Sequence, residues 1–342
     1  MEDIFANLEI HFAQSVQLTK FVYIKIKMSK KIIGIGNAIV DLFVKVDDNF
    51  LLKNNLIKGS MKLIEKEEFE RLKNIIKIQK VEAGGSVANT MAGIAFLKGN
   101  ASFIGKINSD ELGVIYKKSL ENINVNFSYK IKNENLSTGA SIIFITPDSE
   151  RTMCTYLGIS SQLSKHDIEE HIIDDCELIL LEGYLWDKGT SSEMFEHVIY
   201  LAKKKNIKIA MSLSDIFCVE RHRQDFLDLL VNDLSILIGN ENEINKLMQK
   251  RNLLDSIEDI KKINKLIIIT RSKNGSLAIQ NKKIINCESA KVKKVLDLTG
   301  AGDLFASGFF KEYLDNSNIK KCLETGSELA GKIIQKIGAR LT

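Results

Sequence analysis

Four short, mainly apolar runs constrain the fold most: Leu178–Leu181, Ile207–Leu213, Ser235–Ile238 and Leu266–Thr270. Runs of this length without polar alternation suit strands buried on both faces, as in a parallel sheet. Helical segments centred near residues 195, 227 and 245 separate them, and parallel neighbours need such right-handed crossovers. An α/β architecture follows, with a central, mostly parallel sheet flanked by helices. Upstream, Lys31–Gly36 and Ser102–Lys106 extend the set of strands. Helices are expected over Glu65–Lys80 (Phe69, Leu72 and Ile76 on one face), after the loop Ala83-Gly84-Gly85-Ser86 through Leu97, and over Ser109–Glu121. A hairpin, Leu277–Ile279 against Ile284–Asn286, and a helix over Ile319–Ile337 complete the pattern.

Two patches read as strands without helices, near 42–63 and 124–156. The second holds Asn126–Ile131, Ala140–Thr146 and Arg151–Tyr156. They suit one small separate sheet made from two insertions. Ligands of open parallel sheets sit beyond the carboxyl ends of the strands, so a small sheet inserted there is expected to act as a lid.

The 342 residues are 44% hydrophobic and 27% charged, with a net charge of +4. Such a mild balance suits anionic small molecules and excludes the footprint of a nucleic-acid binder. Lys203-Lys204-Lys205 reads as the last turn of a helix, where cations favour the dipole. The five cysteines lack a Cys-x-x-Cys pair, and His166 and His171 stand five apart, wrong for one helical face. Neither zinc nor a disulfide framework is expected, and a reducing cytoplasm is the default. No apolar run approaches a membrane span. Residues 1–27 do not resemble a signal peptide and read as a dispensable, disordered leader ahead of Met28.

Leu296 to Phe310 carries the strongest chemical signal. Gly300, Ala301 and Gly302 have almost no side chain, so their amides can approach a ligand, and a helix begins near Asp303. Bare amides joined to a helix N-terminus make an anion cradle, most often for phosphate. Asp303 at its mouth is either an N-cap or a general base for a hydroxyl attacking phosphorus. Four weaker features surround it. Asn37 and Asp41 follow the first strand and suit either sugar hydroxyls or turn chemistry. Gly84 and Gly85 with Asn89 suit a polyhydroxylated ligand or close helix packing. Asn240 and Glu243 either form a capping box or order the water shell of Mg²⁺. Thr270-Arg271-Ser272-Lys273-Asn274-Gly275 can line a nucleotide pocket. All fall at carboxyl ends of expected strands or at helix mouths on one edge.

Two tempting motifs fail. Gly34-Ile35-Gly36-Asn37-Ala38-Ile39 lacks the third glycine and the crossover helix of a dinucleotide site. Gly326-Ser327-Glu328-Leu329-Ala330-Gly331-Lys332 precedes Ile333 where a P-loop needs Ser or Thr, and it lies within a helix.

From Lys31 to Arg340 the chain resembles the ribokinase, or PfkB, family of carbohydrate kinases. One signature is Gly84-Gly85-Ser86-Val87-Ala88-Asn89 with Gly105-Lys106 and Asp110-Glu111-Leu112-Gly113; the other is Asp297 to Asp303. Within the family it is most similar to adenosine kinases, by Gly36-Asn37-Ala38-Ile39-Val40-Asp41, Ala83-Gly84-Gly85-Ser86, Ser137-Thr138-Gly139 and Asp148-Ser149-Glu150-Arg151.

The resemblance implies a ribokinase-like fold and an ATP- and Mg²⁺-dependent kinase acting on a hydroxymethyl oxygen, adenosine being the first-choice acceptor. Asp303 would be the catalytic base, and Gly300, Ala301 and Gly302 the anion hole. Arg151 would come from the lid to the transferring phosphate. Asn37, Asp41, Gly84, Gly85 and Asn89 would hold the acceptor. Tyr184 or Leu185 would pack against a purine, worth roughly 1–3 kcal/mol by analogy with base–aromatic stacking. Asn240, Thr270, Arg271, Gly275, Thr299, Gly300 and Gly302 would bind ATP, with Asn240 and Glu243 meeting Mg²⁺ through water. A monovalent cation such as K⁺ is expected near Asp297. The alternatives are a ribokinase-like or fructokinase-like sugar kinase and a catalytically silent sugar or nucleoside sensor. No nucleic-acid or membrane partner is expected, and the chain would be a monomer or homodimer. Three positions depart from the family pattern. Leu298 replaces a usual Thr, Ser272 replaces a common Gly, and the segment Gly338-Ala339-Arg340-Leu341-Thr342 is a shorter ending than expected.

Overall fold

The computed structural model describes residues 30–148, 150–187 and 191–341. The leader expected over residues 1–27, and Ser149 of the Asp148–Arg151 motif, lie outside the described residues. The strands are β1 (Lys31–Ile35), β2 (Ile39–Lys45), β3 (Met61–Leu63), β4 (Lys80–Ala83), β5 (Asn100–Ile104), β6 (Asn126–Phe127) and β7 (Gly139–Ile145). There follow β8 (Arg151–Tyr156), β9 (Cys176–Glu182), β10 (Lys208–Ser212), β11 (Ile236–Asn240), β12 (Leu266–Thr270), β13 (Ser276–Gln280) and β14 (Lys283–Cys287).

The large sheet runs β14-β13-β12-β11-β10-β9-β1-β5-β6. From β12 to β6 every pairing is parallel, and β13 and β14 add the expected antiparallel hairpin at one edge. Side-chain alternation sends Ile33, Ile35, Ile179 and Leu181 to one face, against helices Ser191–Lys205, Arg223–Asn232 and Glu241–Met248. Ile32, Leu178, Leu180 and Ala210 go to the other, against helices Ser86–Phe96, Ala301–Leu314 and Ile319–Ile333. Burial on both faces is why these strands carry no polar alternation. Because the strands run parallel, Asn37, Glu182, Asn240 and Thr270 all emerge at the same sheet edge.

The second sheet runs β3-β8-β7-β2-β4. Here the structure departs from the expected segments. Asn126–Phe127 extends the large sheet, pairing with Ser102 and Phe103, and does not join the small one. The helix expected over Glu65–Lys80 stops at Asn74, and Lys80–Ala83 becomes β4, pairing Phe43↔Lys80 through Val40↔Ala83. Between β2 and β3 lies a helix, Asp48–Lys53, started by Asp47, whose side chain accepts from the Phe50 amide at 2.8 Å. Two further short helices, Ile216–Arg221 and Leu253–Ile260, were not marked by periodicity; each begins at a side-chain N-cap, Asp215 or Asn252.

The Lys203–Lys205 run ends its helix as expected, paired with Asp233, Glu170 and Asp174. Gly326–Lys332 lies inside the helix Ile319–Ile333. All five cysteines are free and buried. Among the described residues no helix is long and apolar enough to cross a membrane.

Candidate active site

Two helices of small residues position the centre of the site. On Ser86–Phe96, a Cβ at Gly93 would stand 2.2 Å from Ser307 Oγ, so only glycine lets the helix Ala301–Leu314 approach this closely. Ser307 donates to the carbonyls of Thr90 (2.9 Å) and Asp303 (2.8 Å), and Thr90 Oγ1 donates to the Asp303 carbonyl at 3.2 Å. The close crossing puts one signature directly on the other. Asn89 Nδ2 donates to Asp303 Oδ2 at 3.0 Å, and Ser86 Oγ donates to Oδ1 at 2.7 Å. Asp303 therefore does not cap its helix with its side chain. The N-cap is Gly300, in the left-handed region at φ +76, and the helix begins at Ala301, two residues earlier than expected. A Cβ on Gly300 would meet Ala339 Cα at 2.8 Å, whereas nothing lies within 4 Å of one on Gly302.

Glu182 is buried here, and Asp41 and Asp303 are partly buried beside it. Burial raises the Asp303 pKa above the usual range, with Asn89, Ser86 and Arg340 pulling the other way. Asp41 is raised to about 7, mainly by burial and against the pull of Arg340; its carboxylate would lie 2.4 Å from a Cβ on Gly84. Gly85 (φ +89) caps the helix Ser86–Phe96, where a Cβ would meet the Asn37 carbonyl at 2.4 Å. Glu182, at the end of β9, is raised to about 8 by burial. It accepts from the amides of Asn37 (3.2 Å) and Val87 (3.3 Å).

Asn37 and Tyr184 line one narrow cavity with Leu157, Leu163, Leu185 and Met194; Ser160 and Ser161 are its hydroxyl-bearing side. The Tyr184 amide donates to Ser214 Oγ at 3.2 Å, and burial with a hydrogen bond to Asp215 pushes its phenol well above the usual range.

Asn240 and Glu243 form a capping box: Asn240 Oδ1 accepts from the Glu243 amide at 3.0 Å and Glu243 Oε2 from the Asn240 amide at 2.9 Å. Asn240 Nδ2 also contacts Glu243 Oε1. Burial raises Glu243 to about 7. Thr270 is the register partner of both Asn240 and Ser276, Arg271 pairs with Glu241 at 3.0 Å, and Gly275 has φ +80.

Asp297 is held by donors. The Thr299 amide reaches Oδ1 at 3.0 Å, and the Gly338 amide reaches Oδ2 at 2.8 Å, where Arg151 Nη2 also binds. Arg151 Nη1 is buried with no hydrogen-bond partner among the described residues. Among those residues, no cluster of three or more His, Cys, Asp or Glu could hold a metal ion.

Ser86, Glu182 and Arg340 belong to this site without having been singled out in the sequence. Ser86 lies inside a quoted signature, and Glu182 is the lone acid closing a buried apolar run, a signal that could have found it. Arg340 carries no such signal.

Comparison with known proteins shows the family of the chain. Residues 53–342 match the model of the pfkB family carbohydrate kinases. The chain is similar to the crystal structure of adenosine kinase from Sinorhizobium meliloti, at 34% identity and TM-score 0.85, covering 92% of this chain and 96% of that one. A probable sugar kinase from Rhizobium etli gives 34% identity and TM-score 0.85, over 91% and 95% of the two chains. An adenosine kinase from Dictyostelium discoideum is 27% identical over 90% of this chain and 96% of its own length. Kinases of this family use ATP and Mg²⁺ in general and transfer phosphate to an alcohol. With the family model covering most of its length, the chain belongs to the PfkB family of carbohydrate kinases.

Proposed function

We propose that this kinase transfers the γ-phosphoryl group of ATP to the 5'-hydroxyl of a nucleoside, adenosine before others. One observation carries the chemical part: the partly buried Asp303 carboxylate, oriented by Ser86 and Asn89, lies in the first turn of a helix that starts with bare amides. Asp303 takes the hydroxyl proton as the oxygen attacks phosphorus. The amides of Gly300, Ala301 and Gly302 and the helix dipole stabilise charge on the transferring group. The buried, unpartnered Nη1 of Arg151 supplies a donor for the same phosphate. The small sheet, which carries Arg151, acts as the lid that excludes water.

Mg²⁺ would neutralise phosphate charge when bound. Asn240 and Glu243 fit it through water, since their own capping contacts leave each carboxylate oxygen a further lone pair. Asp297 does not fit the expected monovalent cation. Its oxygens face a guanidinium and two amide donors, and no step is assigned to such an ion.

For the acceptor, the apolar wall of Leu157, Leu163, Tyr184, Leu185 and Met194 suits a purine, and 34% identity to an adenosine kinase supports it. Ser160 and Ser161 in the same cavity favour the second reading, a free sugar such as ribose. A coupled ADP-release assay across adenosine, other nucleosides, ribose and fructose tests this. Adenosine is expected to give the highest kcat/KM. A higher value for ribose or fructose overturns the nucleoside reading, and binding without turnover of any acceptor makes the chain a sensor.

A further inference from the structure

Arg340 is a partly buried cation of the site, and neither signature contains it. It follows a turn at Gly338 (φ +106), after the helix Ile319–Ile333. Its Nε donates to Asn89 Oδ1 at 2.9 Å, Nη2 to the Gly84 carbonyl at 3.3 Å and Nη1 to Ser119 Oγ at 3.4 Å. Its charge faces Asp41 of β2, Glu82 of β4, Tyr116 of the helix Glu111–Glu121 and Asp303 of the helix Ala301–Leu314. Arg151 of β8 also acts on Asp41, and Glu182 of β9 faces Asp303.

Burying a guanidinium costs several kcal/mol unless charges and acceptors answer it. Here the answering groups are the acids and backbone of the reaction centre. An amide has one acceptor end and one donor end. With Arg340 on the oxygen of Asn89, the NH₂ is committed to Asp303; a flipped amide would set oxygen against carboxylate and NH₂ against guanidinium.

We propose that Arg340 is a positioning residue for phosphoryl transfer: it locks the Asn89 amide that orients Asp303 and keeps a positive charge against Asp41 and Asp303. This inference rests on the kinase reading above. Loss of the cation favours the protonated forms of both acids, so a base that must be ionised works only at higher pH.

Arg340→Met and Arg340→Lys, made in the full chain, test it. For Arg340→Met, kcat is expected to fall roughly 10²-fold, the scale of a misplaced reacting group, and the acid limb of its pH profile to move to higher pH. Added guanidinium ion restores part of the rate. Arg340→Lys keeps the charge and loses the fork, so kcat falls while the limb stays, and it serves if the Met variant does not fold. A lowered melting temperature with the acid limb of Arg340→Met unmoved, or with the kcat of Arg340→Lys at the wild-type value, makes Arg340 structural only and overturns the proposal. If the wild-type protein phosphorylates no acceptor, the kinase reading fails by itself. The inference is then decided by titrating the Asp303 carboxyl carbon by NMR. A shift to higher pH in Arg340→Met supports it, and superimposable curves overturn it.

Discussion

Both oxygens of Asp303 are held by side chains more than 200 positions away, at separations of 214 and 217 residues, and Arg340 reaches Asn89 across 251. At the other end of the same sheet edge several pairings are local, although Asp297 also meets Gly338 and Arg151 across 41 and 146 residues. Asn240 is tied to Glu243 three residues on, Asp297 to the Thr299 amide two residues on, and Leu298 beside it is 69% exposed. The proposed acceptor side is thus a partly buried cluster of acids facing a guanidinium, held by contacts distant in sequence. The proposed ATP side is built of turns and helix starts that form from nearby residues and present backbone to the surface. Orienting a proton acceptor needs fixed side chains, whereas gripping phosphate needs mainly amides and a dipole.

The sharpest way to break this contrast is Asp303→Asn. It should lower kcat by roughly 10²–10⁴-fold, as loss of a general base does, with acceptor KM largely kept in the ADP-release assay. An unchanged kcat would take Asp303 out of the mechanism.

Glu182→Gln sharpens the acceptor side next. A buried acid raised to about 8 is favoured protonated in the folded state, so its contribution to stability is present below the unfolded pKa near 4.5 and is lost as pH rises through 8. The loss is at most about 1.4 kcal/mol per pH unit between those values. The variant should melt higher than wild type at pH 8, and the two should converge by pH 5. A difference independent of pH would mean that Glu182 is ionised throughout.

A smaller effect separates two neighbouring glycines on the phosphate side. Gly300→Ala forces a side chain into the left-handed region and against Ala339, costing about 1–2 kcal/mol for the backbone alone in urea unfolding. Gly302→Ala meets open space, so stability should stay within about 0.5 kcal/mol while the ATP KM rises. Equal ATP KM values for Gly302→Ala and wild type would move the phosphate elsewhere.

Much of the fold was legible because burial leaves a mark on composition. Leu266–Thr270 and Arg151–Tyr156 form strands with the expected bounds, and the expected hairpin after them forms. The strand Lys80–Ala83 was hidden because Lys80 and Val81 are exposed and carry no alternation. Its structure comes from pairing with β2, a tertiary effect that overrides local pattern. Asn126–Phe127 was assigned to the wrong sheet for a similar reason, since two residues cannot declare a partner. Within the site, glycines and Asp303 announced themselves by spacing. Glu182 was overlooked as the polar end of an apolar run, and Arg340 was unreadable because its only meaning is a contact 251 residues away.

That separation has a consequence for how the protein is made. With translation at roughly 5–20 residues per second, Asn89 has left the ribosome for some tens of seconds before Arg340 is synthesised. Throughout that interval a nascent chain holds Asp41 and Glu82 without the cation that faces them when folded, and Asp303 joins them only near its close. The carboxylates and the guanidinium therefore come together only after the second signature has been made, so the acceptor side is assembled late in synthesis rather than with the first signature.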